Sequence, residues 1–151
     1  VKLLSYLTDG MLEKLRPAID ILNFEPDEMV FREGDAANRL YMLKSGKILL
    51  EKRISEKMTI MFGSIKAGYC FGWSVMLDEG PYTSDAICAE PCEIFSLRRE
   101  KIRNLMDTDH ELGYIFAQRM LWVLKRRLDH RTDQFLRAVL NQPDLEYLFE
   151  K

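Results

Sequence analysis

The chain has 151 residues, of which 47% are hydrophobic and 30% are charged. These values are typical of one globular domain that buries its own core. The formal net charge of -2 gives no general attraction to nucleic acid. No apolar run approaches the ~20 residues that span a bilayer, and the N-terminus lacks a signal-peptide pattern. The sequence therefore favours a cytoplasmic protein with no membrane role.

Apolar residues recur at helical spacing from Leu3 to Leu22. Asp9 is predicted to cap this helix, and Pro17 is predicted to break or kink it. We therefore assign residues 1–22 to an N-terminal helical segment.

From Asn23 the apolar period changes to two, which is typical of strands. Strands are predicted at Leu40–Leu43, at Lys47–Leu50 and from Thr59, while the charged residues 51–57 are interpreted as a hairpin end. Glu33 and Asp35 are interpreted as turn carboxylates rather than as an acid/base pair. Short strands separated by glycine, without helices between them, predict an antiparallel β sandwich or jelly roll over residues 23–97.

The stretch from Phe71 to Cys92 is the most distinctive part of this barrel. Gly72 begins a turn that leads into a short apolar helical turn, Gly80-Pro81 form a bend, and an alternating strand follows. Unpaired amides and the helix dipole at a Gly-led helix start favour an anion. The stretch therefore predicts a phosphate cassette. Cys88 and Cys92 are interpreted as packed thiols of a reducing compartment.

The helical period returns over residues 98–142. A short helix from Arg98 to Met106 is followed by a long one, which residues 107–109 cap and which Pro143 stops after about Gln142. Residues 143–151 form a tail. An apolar seam on the long helix either binds a partner helix or packs on its own barrel. Its residues are Ala117, Leu121, Leu124, Leu128, Phe135 and Ala138, with Leu121, Leu124 and Leu128 at its centre.

The cassette resembles that of the cyclic-nucleotide-binding domains of the catabolite activator protein and Fnr-like regulator superfamily. The matching residues are Phe71, Gly72, Val75, Met76, Leu77 and Pro81, followed by the small residues Ser84, Ala86 and Cys88. The Glu33-Gly34-Asp35 turn and the Leu40-Tyr41 pair are similar to the family as well. The resemblance implies a mainly β fold, namely a jelly roll (double-stranded β-helix) with an N-terminal helix and a long C-terminal dimer helix. It also implies a ligand sensor in signal transduction or transcription control.

The sequence departs from the family at two positions. Trp73 occupies the slot of the glutamate that holds the ribose, and Tyr82 occupies the slot of the arginine that holds the cyclic phosphate. We therefore expect weak binding of cyclic AMP and cyclic GMP, and both rings are expected to point into the barrel mouth. The expected ligand-binding residues are Phe71, Gly72, Trp73, Ser74, Val75, Tyr82, Thr83 and Ser84.

Two other classes of function, a retuned binding or interaction module and an enzyme, are alternatives to the cyclic-nucleotide sensor. The same fold can be retuned to a planar or aromatic ligand, or to none, and then serve in dimerisation and protein interaction. An enzyme is not expected, because His110 and His130 lie in helical context, no metal spacing occurs, and the barrel has no histidine. No cofactor is expected to be required. A small ligand and a second copy are the expected partners, and these residues contain no predicted DNA-binding domain.

Overall fold

A computed structural model of the protein describes residues 4–77 and 80–141. The chain divides into a first compact unit that ends at Ile115 and a second that starts at Phe116. The first unit contains the predicted β barrel, and the second contains most of the long C-terminal helix. The predicted tail 143–151 lies outside the described residues.

The N-terminal helical segment is shorter than predicted. It consists of a 3₁₀ turn at Leu4–Tyr6, helix α1 at Asp9–Leu15 and a second 3₁₀ turn at Arg16–Ala18. The side chain of Thr8, rather than that of Asp9, caps α1 by accepting a hydrogen bond from the Met11 amide at 3.3 Å. A proline in the second 3₁₀ turn ends the helix, as predicted.

The barrel begins at Ile19 rather than at residue 23, because the first strand pairs with the last one. Two four-stranded antiparallel sheets face each other, in the orders β1-β8-β3-β6 and β2-β7-β4-β5. This arrangement confirms the predicted jelly roll. The strands are β1 Ile19–Phe24, β2 Met29–Phe31, β3 Arg39–Ser45, β4 Lys47–Ser55, β5 Met58–Lys66, β6 Cys70–Phe71, β7 Asp85–Cys88 and β8 Cys92–Arg98.

The β4–β5 hairpin is longer than the sequence predicts. Residues 51–55 continue β4 and pair with β5 through Ser55 and Met58, so the turn is confined to Glu56 and Lys57. Charged residues belong to the strand here because its far end is exposed and needs no apolar side chains. The predicted hairpin end is therefore corrected to a two-residue turn.

The interior between the sheets is aromatic near the cassette. Phe31, Tyr41, Phe71 and Tyr82 belong to one buried cluster, together with aliphatic residues such as Ile48. The three cysteines are buried free thiols, which confirms the interpretation of Cys88 and Cys92 as packed thiols. The two sheets thus meet around a largely apolar core.

Two helices follow the barrel. Helix α2 spans Arg99–Thr108, and helix α3 spans His110–Leu140, while Gln142 and Pro143 lie outside the described residues. The Asp109 carboxylate accepts the Leu112 amide at 3.0 Å, which confirms the predicted capping of the long helix. None of the helices in the described ranges combines the length and apolar character needed to cross a membrane.

Candidate ligand-binding site

The cassette begins with a turn that only glycine fits. Strand β6 pairs Phe71 with Tyr41 of β3, and Gly72 follows with φ of 76°. A Cβ atom at Gly72 would lie 2.9 Å from a ring carbon of Tyr41 and 3.2 Å from the Arg39 carbonyl oxygen. The left-handed backbone and this close approach to β3 both require glycine. The cassette start is therefore held tightly against the core.

A single 3₁₀ turn over Trp73–Met76 follows Gly72. Val75 is buried within it, whereas Trp73 and Ser74 are half-buried. A turn of four residues aligns few peptide dipoles, so it contributes little positive charge for an anion. The predicted helical turn is present, yet it is too short to be an anion site by itself.

Tyr82 lies in the core rather than at the barrel mouth, which differs from the sequence-based expectation. Its side chain is 3% exposed, and its ring stacks on Phe31 with the centroids 3.9 Å apart. The Tyr82 hydroxyl donates to the Arg39 carbonyl at 2.8 Å and accepts from the Arg39 amide at 3.1 Å. A phenol whose only polar group is hydrogen-bonded is stable in such a position. Tyr82 thus fixes the end of the cassette to β3.

The Tyr41 phenol lies beside the Tyr82 phenol, with ring centroids 6.3 Å apart. Burial raises the pKa of both hydroxyl groups above the usual value of a tyrosine. Both phenols are therefore neutral at physiological pH. This part of the site offers hydroxyl groups but no charge to a phosphate.

The residues after Tyr82 face different surroundings. Thr83 is exposed, whereas Ser84 is buried. The Lys52 ammonium lies 3.4 Å from the Thr83 carbonyl oxygen and 3.1 Å from the Glu33 carboxylate. A lysine therefore stands beside the cassette end, although Glu33 already compensates its charge.

The structure thus places the predicted ligand residues at the two ends of one cassette. The group from Phe71 to Val75 adjoins β3, and Tyr82 and Ser84 are buried beyond the Gly80-Pro81 bend. Sequence reasoning missed Phe31, Arg39 and Lys52 as their contacts. Lys52 could have been found from the period of two, since it lies four residues after the core residue Ile48 and therefore on the same face of β4. No local signal indicates the other two.

The predicted seam of the long helix lies in the second unit. Leu121 is 69% exposed, Leu128 is 66% exposed and Leu124 is 42% exposed. Ala117 is exposed as well. Four residues of the predicted seam therefore present an apolar surface.

Metal binding has no support in the described part of the chain. No group of three or more His, Cys, Asp or Glu residues within residues 4–77 and 80–141 is placed to hold a metal ion. His110 and His130 both belong to α3.

Comparisons with known proteins agree with the cassette and the jelly roll. The family model described as cyclic nucleotide-binding domain matches residues 21–109. A cyclic AMP receptor protein from Thermus thermophilus is 30% identical over 95 residues, which cover 60% of this chain and 44% of that protein. A CRP-like cAMP-activated global transcriptional regulator from Mycobacterium tuberculosis is 28% identical over 119 residues, covering 79% of this chain and 50% of that protein.

The solved structures include a similar fold. A cyclic nucleotide-binding domain from Methylobacillus flagellatus superposes with a TM-score of 0.82 at 21% identity, covering 91% of this chain and 77% of that one. The chain spans about half the length of the two relatives named above.

Proposed function

The chain belongs to the cyclic nucleotide-binding domain family, and on this premise we propose that it is a ligand-sensing regulatory module that binds cyclic AMP and cyclic GMP only weakly. The observation that carries the proposal is the position of Tyr82. The side chain in the slot of the phosphate-binding arginine is neutral, 3% exposed and hydrogen-bonded to the Arg39 backbone. It cannot provide the charged fork that grips a phosphate.

The expected loss of affinity is large. Removing one partner of a buried, hydrogen-bonded charge pair costs about 2–5 kcal/mol, and each 1.4 kcal/mol is about tenfold in affinity. The absence of the arginine therefore weakens binding by roughly thirty- to several-thousand-fold. Trp73 in the glutamate slot offers no carboxylate to a ribose hydroxyl. Lys52 offsets part of this loss at most, because Glu33 lies 3.1 Å from it.

Titration calorimetry with cyclic AMP and cyclic GMP tests the proposal directly. We expect dissociation constants well above the low micromolar range, and tight binding of either nucleotide would overturn weak binding. Trp73→Glu, at a half-buried position, should raise the affinity by supplying a carboxylate to the ribose hydroxyl. The matched control is Trp73→Gln, which adds polarity without charge and should leave the affinity low. A cooperative thermal transition verifies that each variant is folded.

A second candidate role is dimerisation through α3, and the exposed seam favours it. Apolar residues at Leu121, Leu124 and Leu128 follow steps of three and four, which is the spacing of a helix that packs on a partner helix. A second copy of this chain would bury the seam. The proposed homodimer therefore has these leucines at its centre.

Sedimentation velocity tests the dimer. Leu124→Glu with Leu128→Glu should give a folded monomer. The control is Arg126→Glu with His130→Glu, which has the same four-residue spacing on the opposite side of the helix and should remain dimeric. A parent protein that sediments as a monomer at high micromolar concentration would contradict the proposed homodimer.

A further inference from the structure

A cavity of about 680 Å³ lies within the first unit, and none of its described lining residues belongs to the Trp73–Met76 turn. Its walls come from the turn between β2 and β3, from the Gly80-Pro81 bend and from the junction of β8 with α2. Cavities of roughly 300–1,000 Å³ are typical of small-molecule sites. The size therefore fits a small organic ligand rather than a single inorganic ion.

Backbone hydrogen bonds hold these walls together. The Arg99 amide donates to the Asn38 carbonyl at 2.8 Å, and the Ala37 amide donates to the Gly80 carbonyl at 3.4 Å. Arg99 also donates from Nη2 to the Ala37 carbonyl at 2.7 Å. The cavity is thus a built part of the fold and not a gap between mobile side chains.

Three arginines line the cavity: Arg39, Arg98 and Arg99. Asp20 compensates two of them, because its Oδ2 lies 2.8 Å from Nη1 of Arg39 and 3.6 Å from Nε of Arg98. The one carboxylate on the wall itself is that of Glu100, among the described lining residues. Among the described residues, the three arginines are thus accompanied by two carboxylates, those of Asp20 and Glu100.

Of the three arginines, Arg99 has a buried hydrogen-bond donor that still lacks an acceptor among the described residues. Its recorded hydrogen bond goes to a neutral carbonyl, and its buried Nε has no acceptor within the described ranges. Guanidinium groups bind phosphate and carboxylate through parallel N–H donors. An anion in this cavity would add negative charge beside Arg99, whose described hydrogen bond goes to a neutral carbonyl, and beside Arg98, which shares one carboxylate with Arg39.

We propose that this cavity binds a small phosphomonoester, with the phosphate near Arg98 and Arg99 and the organic part filling the remaining space. The site is separate from the cassette slots at Trp73 and Tyr82, so it does not depend on cyclic-nucleotide binding. It shares the Gly80-Pro81 bend with the cassette. A ligand held there would therefore connect the cassette end with the start of α2.

Titration of the full chain with ribose 5-phosphate tests the site, with ribose as the ligand that lacks the phosphate. We expect binding of ribose 5-phosphate and none of ribose. Arg98→Gln removes an exposed side chain that the fold does not require, and it should weaken binding by about tenfold or more. Lys101→Gln removes the same charge three residues later, in α2 and outside the cavity lining, and should leave the affinity unchanged.

Glu100→Gln should change the affinity for ribose 5-phosphate in the opposite direction. Removing the carboxylate from the wall should tighten binding of ribose 5-phosphate, an effect that a general loss of structure would not produce. No binding at millimolar concentration would overturn the proposal. Equal losses in Arg98→Gln and Lys101→Gln would also overturn it, because they would show diffuse surface attraction. An unchanged affinity in Glu100→Gln contradicts the location of the phosphate.

Discussion

The end of the cassette and the arginine-lined cavity lie on either side of one residue, Arg39. Its backbone amide and carbonyl bind the Tyr82 hydroxyl, and its guanidinium donates to Asp20 and Ser96. Arg39 is also one of the residues that line the cavity. The cassette side ends in a buried, uncharged phenol, whereas three arginines line the cavity side. The comparison shows that these arginines lie next to the cassette end and not in the slot of Tyr82.

The largest effect is expected from deleting the ring that closes the cassette side. Tyr82→Ala should lower the free energy of unfolding by about 3 kcal/mol or more, because a buried aromatic ring leaves a cavity. Leu77→Ala, at a cassette position that is 69% exposed, should change it by less than about 0.5 kcal/mol. Urea denaturation measures both values. Equal effects would contradict the core position of Tyr82.

Gly72→Ala tests the close approach of the cassette start to β3. The left-handed φ and the contacts with Tyr41 and Arg39 should cost about 1–3 kcal/mol of unfolding free energy. Gly10→Ala is the control, since Gly10 lies in α1 with no atom within 4 Å of the added Cβ. That change should stabilise the protein by up to about 1 kcal/mol. A neutral result at Gly72 would argue against the tight turn.

Tyr82→Phe isolates the hydroxyl that joins the cassette to Arg39. Loss of these hydrogen bonds should cost about 1 kcal/mol at neutral pH. Because burial raises the pKa of Tyr82, the neutral phenol stabilises the fold below the unfolded pKa near 10, and this contribution is lost as the pH rises through the folded value. The alkaline fall in melting temperature should therefore be shallower in Tyr82→Phe than in the parent. Identical alkaline profiles would contradict this.

The smallest effect is expected on the cavity side, at Asp20→Asn. The carboxylate is about half exposed, so its pairs with Arg39 and Arg98 are worth only about 0–1 kcal/mol. The hydrogen bond from Arg39 holds the pKa of Asp20 below its usual value, so the stabilisation is present above the unfolded pKa near 4 and is lost as the pH falls. The melting temperature of the parent should therefore exceed that of Asp20→Asn only at pH values above this unfolded pKa. Asp107→Asn, at an exposed site, is the control.

Strands with strong apolar runs could be predicted from the sequence, but the residues at which strands begin and end could not. Leu40–Leu43 was identifiable because all four residues are buried in β3. The start of β1 was missed because Ile19, Ile21 and Leu22 fit both a helix and a strand. Pairing with β8, far along the chain, decides in favour of the strand.

In the candidate site, too, features set by neighbouring residues could be predicted, whereas features set by residues distant in the sequence could not. The replacement at Tyr82 was visible in the sequence, since cassette spacing depends on neighbouring residues. Its direction was not visible, because Phe31 and Arg39 are brought to it by the fold. The arginine-lined cavity was missed for the same reason, as Arg39 and Arg98 meet only through the pairing of β3 with β8.

The pairing of β1 with β8 has a consequence for how the protein is made. Ile19 lies opposite Leu97 and Phe24 lies opposite Cys92, so the first strand needs the last strand as its neighbour. A ribosome releases β1 long before β8 exists, and contacts between distant segments form slowly. The nascent chain therefore holds an unpaired β1 edge throughout synthesis of the barrel, and this edge is where we expect a chaperone to bind.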